Sequence, residues 1–115
     1  MYVYDSANAL ARAIRECEEF QAYKRLKDQV MADEGTKQLI TQYKSLQFAA
    51  QAEYLAGREP SRETVDKLQK MGEVLQFNPA VAEYFTAEYK FNTIVSDIYR
   101  IIGEACEIDT SLFER

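Results

Sequence analysis

No histidine occurs anywhere in the 115 residues. That removes the usual general base, the Ser-His and Cys-His nucleophile pairs and every histidine metal site. There are only two cysteines, Cys17 and Cys106, far apart in the chain. They cannot fill a four-cysteine site within one chain, and they do not form the dense framework of a secreted disulfide scaffold. Four glycines, at 35, 57, 72 and 103, never cluster into a phosphate-cradling loop, and two prolines leave little material for a turn-rich β fold. No run approaches the ~18 consecutive apolar residues of a membrane span, so no membrane partner is expected. The opening MYVYDSANAL carries neither a basic n-region nor a long apolar core. A cytoplasmic protein with reduced thiols is the expectation.

Lys and Arg number 14 against 19 Asp and Glu, for a net charge of −5. The basic residues are scattered, and their densest group, Lys24, Arg25 and Lys27, fills one helix turn rather than a stripe. Direct nucleic-acid binding is therefore disfavoured. None of the 19 acids stands in a paired pattern distinct from ordinary solvated-face spacing. No catalytic residue, no cofactor and no metal ligand set is assigned, and no enzymatic activity is expected.

What is present is helical periodicity almost throughout, over a length that suits one domain, residues 1–115. Val3, Ala7, Leu10, Ile14 and Cys17 recur at 4, 3, 4, 3, with Asp5 or Ser6 as the N-cap, and alanines make this first helix thin. The phase then shifts to Phe20, Tyr23, Leu26 and Val30, which predicts a break near Glu18 to Phe20. Asp33 reads as the cap of a third helix. That helix carries Leu39, Tyr43, Leu46, Ala50 and Tyr54 on one face, flanked by Ile40 and Phe48, and ends near Ala56. The stretch 57–60 is the clearest loop. Ser61 caps a fourth helix striped by Val65, Leu68, Met71 and Leu75.

Asn78-Pro79 starts a fifth helix, because Asn is a strong N-cap and Pro suits the first helical position. Its stripe is Tyr84, Glu88, Phe91, Val95, Ile98, Ile102 and Ala105, with Phe85, Ile94, Tyr99 and Ile101 beside it. From Pro79 to Cys106 such a helix spans roughly 40 Å, against a radius of gyration of only ~13 Å for a compact 100-residue domain. The expectation is an elongated all-α bundle of about five helices with a long C-terminal helix. An apolar arc this wide is buried on more than one side. A homo-oligomer, most simply a dimer, is expected to use Phe85, Phe91, Ile94, Val95, Ile98, Tyr99 and Ile102.

Glu88 within the stripe has two readings. It sets register by pairing with a neighbouring polar group, or it is a general acid in an apolar site. Asn92 and Asp97 on the same helix could join it in a polar cluster. The alternative to an interaction protein is therefore a small-molecule or metal-binding sensor built on Glu88, Asn92 and Asp97.

Several of these residues stand in a familiar order: Val3-Tyr4-Asp5, Ala7 and Leu10-Ala11; Glu18-Glu19-Phe20 with Tyr23 and Lys24 to Val30; and Leu46-Gln47. Asn78-Pro79, Glu83, Tyr84, Glu88, Asn92, Asp97-Ile98 and Ile101 to Ala105 continue it. The chain resembles the YlbF/YmcA family of small helical bacterial regulators, in its YheA-like branch. The resemblance implies an all-α fold and a non-enzymatic role. It also implies partners among other family members, or a complex associated with an mRNA-processing endoribonuclease in competence, sporulation and biofilm formation. Relatives share iron–sulfur clusters through cysteines. Here Cys106 has no companion thiols, so the cluster is not carried over.

Overall fold

The structure, a computed structural model, describes residues 2–108. Five α-helices occupy them, with no strand among the described residues: α1 Tyr2–Glu16, α2 Glu18–Met31, α3 Glu34–Leu55, α4 Arg62–Gln76 and α5 Pro79–Cys106. The expected all-α class, five helices and long last helix are all present.

The helix starts follow local chemistry. The Asp33 carboxylate accepts from the Thr36 amide at 2.9 Å and from the Thr36 hydroxyl at 2.7 Å. Ser61 Oγ accepts from the Thr64 amide at 3.1 Å, and Asn78 Oδ1 from the Ala80 amide at 3.0 Å. Each satisfies a donor that a helix N-terminus leaves unpaired. The first helix departs from expectation. It begins at Tyr2, so Asp5 lies in its first turn rather than capping it, where its charge still favours the helix dipole.

The break between α1 and α2 falls at Cys17, just before the expected position, and uses neither Pro nor Gly. The Gln21 side-chain amide donates to the Arg15 carbonyl at 2.6 Å, occupying an acceptor at the end of α1. At the other end of the chain, α5 closes in a Schellman motif. The Ile108 amide donates to the Gly103 carbonyl at 2.9 Å, and the Glu107 amide to the Glu104 carbonyl at 3.2 Å. Glu107 takes the left-handed position, with φ 58°.

The chain divides into two compact units. The second, Leu26–Tyr84, holds most of the fully buried side chains: Leu26, Val30, Ile40, Leu75, Val81 and Tyr84. At ~1.5–3 kcal/mol for each large apolar side chain fully buried, these residues are its main source of stability. In it α3 packs on α4. Gly72 of α4 faces the Tyr43 ring of α3, whose hydroxyl would lie 3.4 Å from an added Cβ.

The covered face of α3 is centred on Ile40, at 0% exposure, with Tyr43, Leu46 and Ala50 partly buried. Leu39, Tyr54 and Phe48 lie outside it, and Phe48 is 75% exposed. At about 100° per residue, Phe48 sits roughly 140° around the helix from Tyr43 and so turns away from α4. On α4, Leu68, Met71 and Leu75 are covered, whereas Val65 is exposed.

The first unit, described over 2–25 and 85–108, has a different core. Its centre is aromatic. Phe91 of α5 lies 5.2 Å from Phe20 and 5.3 Å from Tyr23, both on α2. Ala87 and Gly103 are its buried residues among those described.

Candidate protein-interaction face

The apolar seam of α5 is covered unevenly. Val81 and Tyr84 are 0% and 1% exposed, and Ala87 is 9%. Further along, Phe91, Ile94, Val95 and Ile98 are only partly buried. Tyr99, Ile101 and Ile102 are 47%, 63% and 46% exposed. The periodicity that demands burial continues to Ala105, but the cover does not.

α1 repeats this behaviour. Its strict 4-3 stripe should bury one face, yet none of its residues is fully buried. Val3 is 54% and Leu10 37% exposed, and Ile14 and Cys17 are partly buried. The first unit thus presents two helical stripes with apolar side chains in water. Leu10, Ile102 and Ile101, at 37%, 46% and 63% exposed, each forgo roughly a third to two-thirds of the ~1.5–3 kcal/mol that full burial would supply. Scattered surface hydrophobes are ordinary, but rows at helical spacing mark interaction sites.

Of the residues expected at an oligomer interface, Ile94, Val95 and Ile98 are partly buried, and Tyr99 and Ile102 are exposed. Phe85 is partly buried near the start of the first unit's part of α5. Phe91 is engaged within the chain by Phe20 and Tyr23. The exposed α1 residues Val3 and Leu10, and Ile101 on α5, belong with the uncovered stripes but were not among the expected interface residues. Their spacing was visible in the sequence; their exposure was not.

Of the polar residues expected to cluster on α5, Glu88 and Asn92 stand one helical turn apart on the same face, and Asp97 does not share it. Glu88 is partly buried on the seam and Asn92 is exposed. Asp97 is nine residues from Glu88, about 180° around the helix at 100° per residue, and pairs with Arg100 at 3.1 Å. Among the described residues no group of three or more acids and cysteines is placed to hold a metal ion. Cys17 is partly buried, Cys106 is exposed, and neither is in a disulfide. No helix among the described residues is long and apolar enough to cross a membrane.

One polar contact that the sequence reading missed lies in the second unit. Lys44 Nζ donates to Tyr84 Oη at 2.9 Å. The ammonium is also 5.1 Å from the ring centroid. With the hydroxyl this close, the cation sits at the ring's polar edge, and the contact is a hydrogen bond rather than a cation over the ring face.

Comparison with known proteins places these features in a group. The family described as control of competence regulator ComK, YlbF/YmcA, matches residues 3–107. A UPF0342 protein of Symbiobacterium thermophilum is 33% identical over 107 residues, covering 93% of this chain and 96% of that protein. Another, from Caldicellulosiruptor bescii, is 35% identical over 111 residues, covering 96% and 93%. Among solved structures, a protein of unknown function from Bacillus stearothermophilus superposes with a TM-score of 0.73 at 21% identity, covering 93% of this chain and 94% of that one. Bacillus subtilis RicA, solved in complex with RicF, superposes at 0.58 with 22% identity, covering 92% and 94%. At these identities the two structures bear on the fold alone.

Proposed function

The chain belongs to the YlbF/YmcA family, and from that membership and the uncovered stripes of its first unit we propose that it is a non-enzymatic regulatory adaptor acting through protein–protein contact. The observation that carries this reading is the fading cover along the first unit's part of the α5 stripe, from partly buried Phe91 and Val95 to Ile102 at 46% exposure. A helix patterned for burial but left open is patterned for a partner. RicA, of similar fold, was solved in complex with another protein, RicF, which supports the same use of this fold.

The finer reading is a cytoplasmic protein that pairs with a second copy of itself or with another family member. Ile94, Val95, Ile98, Tyr99 and Ile102 form the centre of the contact, with Phe85 at its edge. Glu88 sets the seating of α5. The family's description as a control of a competence regulator supports a regulatory role in the cell. Roles in sporulation and biofilm formation, and a link to an mRNA-processing ribonuclease complex, follow from the same resemblance.

The test has two arms on the full chain. Sedimentation equilibrium at micromolar concentration should show a dimer. A variant carrying both Ile101→Lys and Ile102→Lys should sediment as a monomer with unchanged helical circular dichroism. Affinity capture from native cells should recover family members or ribonuclease-complex subunits with the wild type and lose them with the variant. A wild-type monomer that captures no protein would overturn the proposal.

A further inference from the structure

We draw no further inference here: the strongest candidate, the outward stripe of Phe48, Ala52 and Leu55 on α3, is an unpartnered apolar face, and nothing in the structure shows what covers it.

Discussion

Phe91 of α5 stacks on Tyr23 of α2, their ring centroids 5.3 Å apart and their planes at 20°. Phe20 adds a tilted contact at 5.2 Å. Aromatic pairs of this kind contribute ~0.5–1.5 kcal/mol each beyond buried area. Phe91→Leu keeps most of the apolar volume and loses both pairs, so it should lower stability by about 1–2 kcal/mol. Urea denaturation would read the loss. Tyr89→Leu, on a side chain 76% exposed, is the control and should leave the midpoint nearly unchanged.

The Tyr84 ring is 1% exposed and its hydroxyl accepts from Lys44. Tyr84→Phe removes that hydrogen bond and keeps the ring, so a loss of about 1 kcal/mol is expected. Tyr84→Ala also opens a cavity and should cost ~3–5 kcal/mol. A thermal melt of the two variants separates the bond from the packing. A Tyr84→Phe variant that melts with the wild type would show that the hydroxyl contributes little, and equal losses in the two variants would show that the ring packing does.

The Asp33 carboxyl is held below its ordinary value of 3.8, first by the Thr36 hydroxyl and then by the Thr36 amide. Because the folded-state value is depressed, the cap's contribution is complete above the ordinary carboxylate range. It is lost as pH falls through the depressed value. An NMR titration of the Asp33 side chain should show a midpoint below 3.8. Thr36→Val removes the larger cause and should move the midpoint upward, with the amide bond retained.

Backbone conformation separates three substitutions. Gly57 has φ +82° with open space around its Cα, so Gly57→Ala should cost ~1 kcal/mol from conformation alone. Gly72 is inside α4, and an added methyl would only touch the Tyr43 hydroxyl at 3.4 Å. Gly72→Ala should therefore stabilise by roughly 0.5–1 kcal/mol. Glu107 holds the left-handed position after α5 at φ 58°, and Glu107→Gly should relieve up to ~1 kcal/mol of strain. Melting temperatures should fall for the first and rise for the other two.

How much was legible depended on the reach of each interaction. Asp33, Ser61 and Asn78 act on amides two or three residues away, so their roles could be read from sequence. The α1–α2 break was signalled by the phase change between the Cys17 and Phe20 stripes. Its position one residue early was not, because it involves a Gln21 side chain reaching back six residues to Arg15. Periodicity alone runs the α3 stripe through Leu39 and Tyr54 and cannot tell them from Ile40. Choosing between them requires knowing where α4 lies. The expected polar cluster on α5 rested on one helix carrying Glu88, Asn92 and Asp97, but counting residues around that helix puts Asp97 on the far side from Glu88.

The sequence by itself determined that the chain is helical, where α3, α4 and α5 start, and that α5 is apolar over a wide arc. Those outcomes depend on capping, side-chain period and backbone preference within a turn or two. Only the tertiary structure decided that the aromatic centre of the first unit takes Phe91, that Lys44 meets Tyr84, and that the seam of α5 is covered at Val81 and open at Ile102. Pairings such as Lys44 with Tyr84 join residues 40 positions apart. Burial is a property of such neighbours, and no local pattern specifies them.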